Sequence, residues 1–132
     1  MPKQQQIQHI LDQDNASKQL GICLLSACET SVVLDLTVTT EMTNGYALCH
    51  GGVIFSLADT ALAFACIALG ATAVTQSAQI DYINSAKLGD QLRATTQIMH
   101  WRKRNIVCDI QVHNQDQQLI ALVRGKQLVI NT

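Results

Sequence analysis

Charge is scarce in this chain. Asp, Glu, Lys and Arg make up only 14% of its 132 residues, and the net charge is −1. Without a basic excess, nucleic acid is not the default partner. Hydrophobic residues reach 48%, so some apolar surface is expected to be buried between subunits. The five cysteines (Cys23, Cys28, Cys49, Cys66, Cys108) include no C-x-x-C pair and are odd in number. They read as free thiols in a reducing cytosol. Met1-Pro2-Lys3 runs straight into Gln4-Gln5-Gln6, without the pattern of a secretory leader, so a cytoplasmic location is expected. His9, His100 and His113 show no metal-ligand spacing. With no internal repeat, linker or low-complexity boundary, residues 1–132 read as one domain.

The chain does have one long apolar run. From Val53 to Leu69 nearly every residue is apolar or small, the exceptions being Ser56, Asp59 and Thr60. A membrane span is one reading of such a run. Asp59 in mid-run, the richness in Ala and the lack of basic flanks oppose it. A helix apolar all round also suits the buried core of a soluble domain. Gly51-Gly52 stands where that helix would start, and Gly70 where it would stop. The start of a helix carries unpaired N–H groups and partial positive charge. Glycine there lets a ligand approach the backbone, which suits an anion or a developing oxyanion. Gly52, Ser56, Asp59/Thr60 and Ala63 form a small polar stripe at helical spacing. Asp59 is the helix's only charge. Either it bonds a neighbouring backbone group and nothing more, or it is a carboxylate whose pKa burial raises for chemistry.

Around this helix the periodicities predict strands. Residues 4–13 read as a short amphipathic helix with Ile7, Ile10 and Leu11 on one face, and Asn15–Leu20 as a further turn. Strands are expected over 22–27, 31–40, 72–84, 90–102, 105–114 and 118–130. Val32, Leu34, Leu36 and Val38 share one face. So do Leu92, Ala94, Thr96 and Ile98, and so do Ile106, Cys108, Ile110 and Val112. Val74, Ile80 and Tyr82 are assigned together on another strand. Asn114–Gln117 reads as a hairpin turn and Ala86–Asp90 as a tight connection. An antiparallel sheet with one apolar face needs a cover, and the central helix is the only candidate. The expected class is α+β: about six antiparallel strands wrapped round one long helix, the hotdog architecture.

The pattern Asn44-Gly45-x4-His50-Gly51-Gly52-x6-Asp59, extended through Leu57-Ala58-Asp59-Thr60 and Arg124-Gly125-Lys126, resembles the hotdog-fold acyl-CoA thioesterases of the phenylacetate-degradation (PaaI) type. The resemblance covers almost the whole chain. It implies hydrolysis of an acyl-CoA, with (hydroxy)phenylacetyl or medium-chain groups as substrates. Coenzyme A is then part of the substrate, and no separate cofactor is expected. By position, the Gly51 N–H would polarise the thioester carbonyl, and His50 would orient the acyl group or the loop. Asn44 would hold the loop and the lytic water. Asp59 would act as general base or as nucleophile, and Thr75 would position the water. Lys103, Arg104, Lys87 and Lys126 would hold the coenzyme A phosphates. Where relatives often carry Gly and Pro, this chain has Arg102 and Ser85.

The spacing adds a constraint of its own. Gly51 and Asp59 are eight residues apart, about 12 Å along a helix. Partners in one reaction must lie within about 3 Å of the reacting atoms. If both act together, two helices must pack antiparallel in a homodimer or homotetramer, each Asp59 facing the partner's helix start. The resemblance implies the same composite sites. A hydroxyacyl thioester dehydratase and a non-catalytic acyl-CoA-binding module are the alternatives of the same fold. A Cys49–His50 thiol pair is disfavoured, because adjacent residues rarely aim both side chains at one point.

Overall fold

A computed structural model describes residues 2–130. Helices α1 (Lys3–Leu11) and α2 (Asn15–Leu20) precede strands β1 (Cys23–Cys28) and β2 (Ser31–Thr37). A 3-10 turn (Thr40–Met42) leads to α3 (Gly51–Ala68). Then come β3 (Ala73–Tyr82), β4 (Gln91–Arg102), β5 (Asn105–His113) and β6 (Leu119–Val129). The strands form one six-stranded sheet in the order β1-β2-β4-β5-β6-β3, with every neighbouring pair antiparallel. The α+β hotdog expectation holds.

Helix α3 lies on one face of this sheet. Its Leu57, Ala58, Ala61 and Leu62 are fully buried in a cluster with Leu34, Leu36, Leu92, Ala94, Ile110 and Val112. These strand residues are the ones that the period-2 alternation assigns to the inner face. The apolar run is therefore a core helix, long and apolar enough by composition to cross a bilayer but half buried within the fold. Gly125 explains how close it packs: a Cβ there would run into Leu62 Cδ2. The helix ends in a Schellman motif. Gly70 has φ +86°, its N–H donates to Ile67 O at 2.9 Å, and the Ala71 N–H donates to Cys66 O at 3.1 Å.

The structure revises several local expectations. The first helix stops at Leu11, and α2 is a separate helix capped by Asp14, which accepts from the Ser17 N–H at 3.0 Å. Ile7 and Leu11 are buried, but Ile10 is exposed. Strand β2 ends at Thr37 rather than Thr40, although Val38 stays in the core. In β3 the register shifts between Thr75 and Ser77, leaving Gln76 as an extra residue. One extra residue swaps the faces of everything before it. Thr75 therefore pairs with inward-facing Gln127, and Val74 turns outward, away from Ile80 and Tyr82. A matching shift at Met99 in β4 places Trp101 opposite buried Ile106.

Candidate active site

The loop before α3 is held by its own backbone and by Asn44. The Asn44 side-chain oxygen accepts the Tyr46 N–H at 2.8 Å and the Leu48 N–H at 3.2 Å. The Asn44 N–H donates to Leu48 O at 2.8 Å. These donors fix which side-chain atom is the oxygen, and they leave the amide nitrogen with no partner among the described residues. Two longer-range bonds anchor the loop: the His50 N–H donates to Met42 O and the Cys49 N–H to Ala86 O, each at 2.8 Å.

His50 is the N-cap of α3. Its Nδ1 accepts from the Gly52 N–H at 3.2 Å, so in the neutral ring the proton sits on Nε2. The His50 carbonyl accepts from the Val53 N–H at 3.0 Å and the Ile54 N–H at 3.4 Å. The Ile54 bond is the first regular helical one; of the four N–H groups that the helix start leaves open, those of His50, Gly52 and Val53 are thus satisfied. The Gly51 N–H donates to none of the described residues. Gly51 and Asn44 line one cavity of ≈ 290 Å³, together with Ile54, Tyr82, Ile83 and Ser85. A free N–H at the positive end of an 18-residue helix, beside a spare amide nitrogen, suits an oxygen that gains negative charge.

Tyr82, which sequence reasoning gave no role, lines this cavity. Its hydroxyl donates to Gly51 O at 2.8 Å. A Cβ on Gly51 would lie 3.0 Å from Tyr82 Cζ and 3.0 Å from its hydroxyl oxygen. An aromatic residue at the end of a strand was the only available signal, and it does not specify a contact 31 residues away.

Asp59 does not line this cavity. It sits two turns along α3, half-buried, with no hydrogen-bond or ion-pair partner among the described residues. Burial raises its carboxyl above the usual Asp range. The reading in which Asp59 merely bonds nearby backbone is therefore not what the fold shows. Its polar neighbours are self-satisfied: Ser56 donates to Gly52 O at 2.9 Å and Thr60 to Ser56 O at 2.7 Å. An apolar cavity of ≈ 440 Å³, lined by Ile10, Ala63, Cys66, Ile67 and Ala73, opens one turn beyond Asp59.

Thr75 is exposed on the helix side of edge strand β3. Its oxygen accepts from the amide of Gln127 at 2.8 Å, and Gln127 is 2% exposed. That buried amide, also missed from the sequence, leaves the Thr75 hydroxyl proton available to another acceptor. Thr75 lies seven residues before Tyr82, about 23 Å away at ~3.3 Å per residue. It therefore belongs with the C-terminal half of α3, where nearby Ala73 packs against Cys66 and Ala71.

The basic candidates fall in three places. Lys103 and Arg104 form the tip of the β4–β5 hairpin, tied to β6 by Arg104 Nε donating to Val129 O at 3.0 Å. Lys87 bridges to Leu48 at the Gly51 end. Lys126 pairs with Ser77 and Val107 on the sheet face turned away from α3. That outer face also holds a larger concavity of ≈ 660 Å³. It contains none of the predicted catalytic residues, and Arg124, a further basic candidate for coenzyme A, is tied up there in a pair with Asp109 at 2.6 and 2.8 Å. Cys49 is buried, its thiol pushed up to about 11 by burial, which makes it a poor nucleophile beside His50. All five cysteines are free thiols. Among the described residues no group of His, Cys, Asp and Glu is arranged to hold a metal.

The thioesterase superfamily model matches residues 46–121, from the Asn44 loop through α3 into β6. The chain belongs to the thioesterase superfamily. Within it the chain is PaaI-like. It is 45% identical over 115 residues to the acyl-coenzyme A thioesterase PaaI of Escherichia coli, covering 87% of this chain and 82% of that one. The solved structure of the E. coli PaaI protein, from the phenylacetic acid degradation operon, superposes with a TM-score of 0.92 at 43% identity, over 98% and 94% of the two chains. A Streptococcus mutans protein solved with acetyl CoA bound matches with a TM-score of 0.82 at 31% identity, over 84% and 90%.

Proposed function

We propose that this protein is an acyl-CoA thioesterase that hydrolyses its substrate to a carboxylate and free coenzyme A. The observation that carries the reading is the unpaired Gly51 N–H at the start of α3, in the same cavity as Asn44. The thioester carbonyl oxygen accepts from that N–H. As the carbonyl carbon becomes tetrahedral, the negative charge on the oxygen grows and the hydrogen bond strengthens, which is the condition for catalysis rather than mere binding. Water held by the Asn44 amide and by the Thr75 hydroxyl loses a proton to Asp59 as it attacks. The C–S bond then breaks and the thiolate leaves. A thiolate is a good leaving group, so one base and one oxyanion donor suffice. In the other route Asp59 attacks the carbonyl itself, the C–S bond breaks to release the coenzyme A thiolate, and water hydrolyses the resulting anhydride.

Gly51 and Asp59 of one chain, about 12 Å apart along the helix, do not serve one carbonyl. The reading therefore places Asp59 against Gly51 of a second copy, in a homodimer or a dimer of dimers. The exposed stripe Gly52, Ser56, Asp59, Ala63 supports this packing. So does the placement of Lys103 and Arg104 at the C-terminal end of α3, since antiparallel helices bring that end to the partner's oxyanion donor. Phenylacetyl and hydroxyphenylacetyl groups lead the substrate list, with medium-chain acyl groups next.

Thiol release across an acyl-CoA panel tests the function. Hydrolysis of at least one of these thioesters is expected, and loss of it in Asp59→Asn ties it to this site. Enoyl product from a 3-hydroxyacyl-CoA would favour a dehydratase instead. Binding without turnover would favour an acyl-CoA-binding module. The shared site is tested by mixing Asp59→Asn with a bulky substitution at Gly51, each inactive alone. Mixed dimers retain one wild-type site and should regain up to about half the activity if the sites are independent. A fully active monomer would refute the shared site.

A further inference from the structure

Gly51 carries the donor of the proposed oxyanion site. Both of its dihedrals are free of Cβ restraint, and Gly52 follows it. Its N–H belongs to the peptide plane shared with the His50 carbonyl, which the Val53 and Ile54 N–H groups hold from within α3. The next plane carries the Gly51 carbonyl and the Gly52 N–H. That plane is held by His50 Nδ1 on one side and by the Tyr82 hydroxyl, at 2.8 Å, on the other. Among the described residues, Tyr82 is the one side chain from a different element that bonds Gly51. Its ring stands so close over the Gly51 Cα that a methyl group there would be 3.0 Å from it. Hydrogen bond and ring together restrict both dihedrals at Gly51.

From this we infer that Tyr82 is a positioning residue for the oxyanion donor, holding the Gly51 peptide so that its N–H meets the carbonyl oxygen without reorganisation. The inference rests on the reading that this N–H is the donor. It also accounts for glycine at position 51: the ring that holds the peptide occupies the space of a side chain. A preorganised donor is worth more than a mobile one, because it needs no reordering as charge develops.

Tyr82→Phe keeps the ring and removes the hydroxyl. Deleting an oxyanion donor altogether costs about 100–1,000-fold in kcat, so loosening one should cost a part of that, about 3–10-fold. KM is expected to stay unchanged, because the loss falls on the transition state. In the same variant the Gly52 amide, which shares the peptide plane of the Gly51 carbonyl and is bonded to His50 Nδ1, followed by hydrogen exchange in 15N-labelled protein, should exchange faster than in wild type. An unchanged kcat in an active enzyme would overturn the inference, and so would a raised KM with kcat intact. If the wild type hydrolyses no acyl-CoA, the functional reading fails on its own. The Gly52 exchange rate then still decides whether Tyr82 holds the Gly51–Gly52 peptide, and equal rates in both proteins would show that it does not.

Discussion

The two faces of α3 obey opposite rules. On one face Leu57, Ala58, Ala61 and Leu62 are fully buried under the sheet, and each is specified by the volume left to it. The other face carries Gly52, Ser56, Asp59 and Ala63, which the described residues leave exposed or only half-buried. There Asp59 sits half-buried with its pKa raised by desolvation and no compensating partner. A carboxylate kept in such a place costs stability, and a fold under no other demand has no use for it. The comparison teaches that one helix does two separable jobs. Its inner face holds the domain together, and its outer face presents chemistry to whatever lies against it.

That separation can be broken from either side. The largest effect is expected from the inner face. Leu57→Ala deletes a fully buried side chain and should lower stability by about 2–5 kcal/mol, read from denaturant unfolding, while the molecules that remain folded keep their turnover. From the outer face, Asp59→Asn should lower kcat at least about 100-fold, equivalent to ~2.7 kcal/mol, with no loss of stability. A variant with near-normal turnover would remove Asp59 from the mechanism. Lys103→Ala/Arg104→Ala touches neither face. If these residues hold phosphates, KM should rise about 3–10-fold with kcat almost constant, as for exposed ion pairs of ~0.2–1 kcal/mol each, and added salt should shrink the difference. An unchanged KM would take the hairpin out of the site.

The smallest effect sharpens the comparison through pH. Asp59 has a folded pKa raised by burial, so its protonated form favours the folded state. Below the unfolded value of about 3.9 both states are protonated, and wild type and Asp59→Asn should be equally stable. As pH rises through the higher folded pKa, wild type alone must ionise a half-buried group, and Asp59→Asn should become the more stable of the two. The acidic limb of kcat/KM should likewise lie above the ordinary carboxylate range, because the base works only when ionised. Equal stability of the two proteins at all pH values would mean that desolvation at Asp59 is negligible.

What the sequence by itself determined is whatever depends on local order. The period-2 runs around Leu34, Leu92 and Ile110 mark strands because alternate residues must face alternate sides. Gly70 marks the end of α3 because its left-handed backbone suits glycine. The spacing from Gly51 to Asp59 already separates the two groups by a length of helix that no packing changes. What only the tertiary structure decided depends on pairing between distant segments. The extra residues Gln76 and Met99 are absorbed as bulges only because β6 and β5 impose a register on their neighbours. Those bulges set which way Thr75 and Trp101 face. Buried Gln127 reaches Thr75, and Tyr82 reaches Gly51, across chain separations of 52 and 31 residues. Such contacts exist only once the sheet has closed around the helix, because they are fixed by strand register and by the close approach of the Tyr82 ring to Gly51, and no local pattern encodes either.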